Sequence, residues 1–320
     1  MLSALLIAVW VVVSSGNNMP GEKRPPVIDY EGSDYQTRFW ETGGRDYEDR
    51  CEAIALRRLL PKNGKLMLEL GAGAGRNTSR YQGFERVTLL DYSRTQLKQA
   101  QERLGTSERY IYVAADIYRL PFVDGLFDAT TLIRTLHHMA DAPAALRQVR
   151  NVLQPGAVFI LEYANKQNLK AILRYALHRQ TWNPFGLDPV EFAPLNFDFH
   201  PRAVRGWLRE AGFQVERILA VSHFRIGLLK RTIPASILAG LDSLFQWTGA
   251  LWQLTPSVFI KAAAEGGQPG SIPADPKSFF KCPKCGHAPL ADQGERLACP
   301  VCKHTWNILD GIYDFRGDES

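Results

Sequence analysis

Lys65-Leu66-Met67-Leu68-Glu69-Leu70-Gly71-Ala72-Gly73-Ala74-Gly75 is the stretch that decides the fold of this 320-residue chain. Its first half is a short apolar run of strand type. Its second half alternates glycine with alanine, which permits a tight turn and a close approach of backbone to a ligand. Downstream, residues 86–90, 110–114, 127–133 and 157–162 read as further strands, with helix-period segments between them at 94–104 and 143–153. Asp141 can cap the second helix, Pro143 suits its first turn, and Pro155-Gly156 stops it. Strands that alternate with helices in this way predict an α/β fold with a Rossmann-like parallel sheet.

Beyond residue 162 the alternation is diluted by insertions: a helix over 166–179, an irregular aromatic-rich loop over 182–199, a helix over 201–211, a strand over 214–222, a helix over 234–251 and a last strand over 257–262. Six Gly or Pro among residues 266–276 mark a linker. The organisation expected is an N-terminal extension (1–29), a catalytic-type domain (30–264), a flexible linker (265–277) and a small C-terminal module (278–320). With 45% hydrophobic and 22% charged residues, collagen-like, coiled-coil and disordered readings are excluded. The net charge of +5 is too small to indicate a nucleic-acid binder on its own, but residues 164–264 hold 12 basic and 6 acidic side chains, so the excess sits in the middle third. The apolar run from Leu2 to Val13 is twelve residues long, and as a helix would span about 18 Å against a hydrocarbon core of about 30 Å. It predicts no transmembrane segment. Without a basic residue before it, the run is read as a mis-assigned start ahead of Met19, with a weak anchor or signal as the alternative.

Two further acidic residues follow the glycine loop. Asp91 closes the second strand, where a carboxylate can take both hydroxyls of a ribose, and Asp116 closes the third, where it could accept from an adenine amino group. The dinucleotide fingerprint requires glycine at position 76, which is Arg here, and Glu69 beside the loop suits a cationic amino or sulfonium group better than a pyrophosphate.

These residues, with Leu120-Pro121-Phe122, Phe127-Asp128, Leu136-His137-His138, Leu153-Gln154-Pro155-Gly156 and Ala211-Gly212-Phe213, give a chain that resembles the class I S-adenosylmethionine-dependent methyltransferases, close to the type 11 branch that includes quinone-biosynthesis enzymes. The resemblance covers about residues 30–264. It implies a seven-stranded sheet with the last strand antiparallel, S-adenosyl-L-methionine as cofactor, Glu69, Gly71, Ala72, Gly73 and Gly75 around its methionine part, Asp91 and Tyr92 at the ribose, and Asp116 and Ile117 near adenine. A sulfonium methyl is already electrophilic, so alignment and exclusion of water matter more than any one side chain. His137 and His138 are the candidate general bases by position, and Tyr35, Trp40 and Arg45 could close over the cofactor.

Cys282-Pro283-Lys284-Cys285 and Cys299-Pro300-Val301-Cys302 form two CxxC knuckles thirteen residues apart, the spacing of a tetrahedral Zn2+ site with four thiolates. Two disulfides are the rival. Structural zinc contributes on the order of 10 kcal/mol and a disulfide about 2 to 4, so zinc is the better support for a tail with little core. His287 and His304 are reserve ligands. An unpaired Cys51 beside a metal-type quartet argues for a reducing, cytoplasmic setting. Past the second knuckle, residues 306–315 are apolar and broken by Asp310-Gly311. The tail resembles the zinc ribbon of small activator subunits of tRNA and protein methyltransferases. Bacterial rRNA guanine methyltransferases resemble the combination too, but carry the module before the catalytic domain.

Lys166, Lys170, Arg174 and His178 recur every four residues opposite Leu169, Ile172, Leu173 and Leu177, and such a basic face could hold phosphate or a membrane surface. The apolar helix within 233–252 is expected to serve core packing, a homodimer seam, a peripheral membrane contact or a lid over a lipophilic acceptor. The reading is methyl transfer to a small, fairly apolar acceptor. The alternatives are rRNA or tRNA methylation through the ribbon and basic helix, and a non-catalytic cofactor-binding scaffold.

Overall fold

The computed structural model of the chain describes residues 12–13, 25–32, 44–268 and 270–317. Met19, Tyr35, Trp40 and most of the Leu2–Val13 run lie outside the described residues; Val12–Val13 pair antiparallel with Ile28–Asp29. The sheet is built from β1 (Gly64–Leu70), β2 (Phe84–Asp91), β3 (Tyr110–Ala114), β4 (Phe127–Leu132), β5 (Leu153–Ala164), β6 (Phe213–Val221) and β7 (Ser257–Ala264). Their order is β6-β7-β5-β4-β1-β2-β3. All are parallel except β7, which runs antiparallel to both neighbours, as the resemblance implied.

Because β1 is central, both of its faces are buried, and its residues divide by the two-residue period of a strand. Leu66, Leu68 and Leu70 enter one core with α3 (Ala142–Val152) and α5 (Pro201–Glu210). Met67 points the other way, into a core shared with α2 (Arg94–Leu104). On that second face a further cluster joins Ile160, Leu219 and Phe259 to α1 (Asp46–Leu59) and to α7 (Ala235–Phe245), which follows the short α6 (Gly227–Thr232). Ser93 caps α2 and Asp141 caps α3, each by accepting from an amide in the first turn.

Several expected elements differ. Sequence reading left α1 unassigned, although its first turn carries Asp46, Glu48 and Asp49, a favourable placement against the helix dipole. The 234–251 helix stops at Phe245 and tightens to a 3-10 turn through Ala250. The 182–199 loop contains a small hairpin, Val190–Ala193 with Asn196–Asp198. The basic face is not built as expected: Lys166 is buried, its Nζ donating to the Gly186 and Asp188 carbonyls at 2.9 and 2.6 Å. The helix that follows, α4 (Leu169–Ala176), buries only Ala171.

The tail extends the same sheet. Strands β8 (Ala291–Asp292), β9 (Arg296–Ala298), β10 (Thr305–Leu309) and β11 (Ile312–Asp314) form an antiparallel meander whose last member pairs parallel with β3, giving an eleven-stranded sheet. The β10–β11 turn is Asp310-Gly311, both at positive φ, the requirement of a two-residue hairpin turn that follows strand twist. Within the expected linker, the Arg150 guanidinium donates to the Glu265 and Gly266 carbonyls, and Arg86 to the Ala274 carbonyl at 2.6 Å. Gly125 and Gly270 meet so closely there that a Cβ on Gly270 would lie 2.4 Å from the Gly125 oxygen.

Phe280 stitches the tail to the main core, stacking on Phe122 at 5.7 Å and touching the rings of Tyr313 and Phe315 at 4.6 and 4.9 Å. Phe280→Ala should therefore cost about 3 to 5 kcal/mol, to be read from the urea midpoint of the whole chain; a loss below about 1 kcal/mol would mean that the tail does not share the main core.

Candidate cofactor site and four-cysteine centre

At the C-terminal ends of β1, β2 and β4 the chain surrounds a cavity lined by residues from the glycine loop, the β2 end, the turn after β3 and the turn after β4. Glu69, Gly71, Ala72, Gly73, Asp91, Tyr92, Ile117 and His138 all lie on its wall. Gly75, Asp116 and His137 do not. Gly75 instead packs against α2, where a Cβ would meet Leu104 at 2.8 Å. Asp116 caps the turn that follows it, accepting from the Tyr118 amide at 2.9 Å. The His137 ring lies against His138 at 3.9 Å. Arg45 turns away, pairing with Glu48 at 3.8 Å. Tyr35 falls outside the described residues.

Gly71, Gly73 and Gly75 all have positive φ. At Gly71 the demand is also steric, since a Cβ would stand 2.1 Å from Thr135 Oγ1. The loop is closed by Asp91, whose Oδ2 accepts from the Gly73 amide at 2.8 Å and whose Oδ1 accepts from the Ser93 amide at 3.0 Å. Burial pushes the Asp91 carboxyl up to about 6, partly offset by those two amides. Glu69 is more deeply enclosed. Its Oε2 accepts from Thr78 at 2.6 Å and its Oε1 from the Tyr81 hydroxyl at 3.3 Å, yet burial still pushes it up to about 7. Two carboxyls thus stand on one cavity wall with raised proton affinity, and a cationic ligand would relieve that cost.

His138 is opposite in sign. Burial lowers it to about 4, so the ring is neutral near pH 7. Its Nδ1 lies 3.2 Å from the Leu195 carbonyl, which can only accept, so Nδ1 carries the hydrogen and Nε2 keeps its lone pair, 3.2 Å from the Tyr30 hydroxyl. Burial lowers His137 as well.

Sequence reasoning missed Arg76, Arg134, Thr135 and Tyr30, all on the cavity wall. Arg76 and Arg134 reach past the cavity to the buried Glu52 of α1: Arg76 at 2.7 Å on one oxygen, and the Arg134 Nε at 2.7 Å on the other. Arg76 also pairs with Asp49. Burial would raise Glu52, but the Arg134 and Arg76 charges outweigh it and hold the carboxyl below its ordinary range. Arg134 has φ of 59°, and its amide donates to the buried Glu162 at 3.0 Å. No pattern in the sequence marks it. The 233–252 segment contributes no wall residue; α7 braces α1 instead, through the Tyr47 hydroxyl on Asp242 at 3.2 Å and Arg58 on the Ser243 carbonyl at 2.7 Å.

In the tail, the sulfurs of Cys282, Cys285, Cys299 and Cys302 all lie within 4.8 Å of one another. The Cys282–Cys302 and Cys285–Cys299 separations are 3.6 and 3.4 Å. Those are far from a disulfide bond of about 2.05 Å and close to the roughly 3.8 Å edge of a sulfur tetrahedron around a metal at about 2.3 Å. Each knuckle closes on itself, Gly286 donating to the Cys282 carbonyl and Lys303 to that of Cys299. His287 and His304 stand outside the cluster, the latter with its ring on Trp306 at 4.2 Å.

The tail and the cavity are in contact. Arg316 pairs with Asp314 at 2.8 Å and with Glu31 at 3.2 Å, donates to the Tyr92 carbonyl at 3.4 Å, and sits 5.9 Å from the centre of the Tyr92 ring.

Residues 68–161 match the family described as methyltransferase domain. The demethylmenaquinone methyltransferase of Thermotoga maritima is 30% identical over 187 residues, 54% of this chain and 79% of that protein. An O-methyltransferase of Penicillium expansum is 28% identical over 152 residues, covering 44% of this chain and 54% of its own. The chain spans about half the length of the first curated relatives it matches. Among solved structures, an S-adenosylmethionine-dependent methyltransferase from Mesorhizobium loti is 18% identical, covers 68% of this chain and 99% of its own, and has a TM-score of 0.48. With a relative at 30% identity matched over most of its length, the chain belongs to the class I S-adenosylmethionine-dependent methyltransferase family.

Proposed function

We propose that the protein transfers a methyl group from S-adenosyl-L-methionine to a small, fairly apolar acceptor. The observation that carries this reading is the placement of two carboxyls, Glu69 and Asp91, with the glycine loop on one cavity wall, Asp91 bonded to the loop at Gly73. A sulfonium cofactor supplies an electrophilic methyl. Glu69 receives the cationic methionine end, Asp91 accepts from the ribose hydroxyls while keeping its grip on the Gly73 amide, and Tyr92 and Ile117 flank the adenosine. Asp116, occupied as a cap, contributes through its position at the strand end. His138 is the base assigned on position: its Nε2 faces Tyr30, whose hydroxyl an acceptor would displace, and burial makes it a weak base. The His137 ring, away from the wall, packs against that of His138 at 3.9 Å. The apolar acceptor class is supported by the relatives named for quinone biosynthesis, the demethylmenaquinone methyltransferase and a ubiquinone/menaquinone C-methyltransferase of Klebsiella pneumoniae, 28% identical over 171 residues.

We assign Zn2+ to Cys282, Cys285, Cys299 and Cys302 because four sulfurs at tetrahedral spacing match that donor set. Native mass spectrometry should find one zinc per chain that is lost in Cys299→Ser; a metal-free intact chain would reject the site.

The cofactor reading makes a pH prediction with a definite sign. A carboxyl at about 7 must release its proton to face a cation, so cofactor affinity should rise as pH increases through 7 and level off above it. Glu69→Gln should remove that step, and Asp91→Ala should weaken binding roughly tenfold to a hundredfold at any pH. Calorimetric titrations in which Glu69→Gln keeps the step would refute the Glu69 assignment. For the acceptor, the protein is incubated with methyl-labelled cofactor and host extract. Label in organic-soluble small molecules is the expected result, and label in RNA would overturn the acceptor class.

A further inference from the structure

Helix α4 departs from the rule that an amphipathic helix buries its apolar stripe. Leu169, Leu173 and Leu177 follow a four-residue spacing and are 50%, 52% and 60% exposed, while Ala171 is the only buried residue of the helix. Eight residues make a helix about 12 Å long, well below the length at which helices persist in water without packing. The stripe continues off the helix. The Leu169 amide donates to the Leu254 carbonyl at 2.8 Å, which sets α4 beside Leu251 and Trp252, 77% and 55% exposed.

Charge decides what covers this surface. Residues 164–187 carry Lys166, Lys170, Arg174 and Arg179 and no acidic side chain, and residues 243–260 carry no acidic side chain either. With Lys166 buried, Lys170 and Arg174 remain exposed, interleaved with the leucines. A second protein chain would present directional partners to these cations; exposed leucine, tryptophan and cations that pair with no acid among the described residues suit a partner that offers hydrocarbon just beneath fixed negative charge. Among the described residues no helix is long and apolar enough to cross a membrane, so the geometry is one of lying on the surface.

We infer that α4 and residues 251–254 form a docking face for an anionic lipid bilayer, with the leucines and Trp252 in the acyl boundary and Lys170 and Arg174 among the headgroups. The face stands apart from the cofactor cavity, none of whose wall residues belongs to it.

The test is flotation of the full chain with vesicles of phosphatidylcholine alone and of phosphatidylcholine with phosphatidylglycerol, without cofactor. The chain should float with the anionic vesicles only. The double substitution K170Q/R174Q should lower partition roughly thirtyfold, about fivefold for each charge, and L173E/L177E should abolish it while both variants keep wild-type cofactor affinity. Quenching of tryptophan fluorescence by brominated acyl chains should fall in W252F, a readout that does not depend on the leucine variants folding. No flotation of the wild type, equal flotation with neutral vesicles, or a dimer that L173E/L177E converts to monomer without any flotation would each overturn the inference. Since vesicle binding is read without methyl transfer, it can fail or succeed independently of the enzymatic reading.

Discussion

The carboxylate of Glu52 is wholly buried and held from two directions by Arg76 and Arg134. Arg76 follows the glycine loop and Arg134 follows β4, so this single acidic side chain fixes α1 against both turns that wall the cavity. Breaking a buried pair of this kind from one side typically costs about 3 to 5 kcal/mol, because the other charge is left without compensation. The same helix sends Glu48 to Lys230 at 2.8 Å and to Arg225 at 3.3 Å, and Asp49 to Arg80 at 2.6 Å. The cavity is therefore framed by ion pairs directed toward α1, and the acids on its wall are Glu69 and Asp91.

That arrangement explains why the site can carry two strained carboxyls. Glu69 receives a hydroxyl from Thr78 and a longer one from Tyr81, with Arg76 and Arg80 adding a smaller favourable charge, and Asp91 is held by backbone amides. The arginines close by are already committed to α1. A bound cation would favour the ionised form of both carboxyls and so relieve the cost that burial places on their charge.

Much of this was legible in the sequence, and the parts that were not share a physical cause. The seven strands were read to within four residues at each end, because buried parallel strands are continuous apolar runs. The glycine loop with Glu69 and Asp91, and the cysteine quartet, were legible because each requires particular residue types at particular spacing. Helix α1 was not, since Glu48 and Glu52 occupy its inward face and a helix with buried carboxylates reads as a solvated one. Helix α4 misled in the opposite sense, its leucines facing out. Arg134 and Tyr30 reach the cavity by tertiary placement alone, one in a left-handed turn and the other from before the first helix. Position in the sheet order, which brings His138 to the wall but turns His137 aside, cannot be resolved from two adjacent histidines.

The pairing of β3 with β11 joins residues 112–114 to 312–314, some two hundred positions apart. Until β11 is made, one edge of β3 lies open, the situation in which strands recruit foreign partners. Synthesis proceeds from the N-terminus, so the seven strands of the methyltransferase sheet emerge before β11 and stay unsealed at β3 until it follows. The order of manufacture thus makes β11 a seal, one whose arrival ends the interval during which the nascent edge is exposed to aggregation.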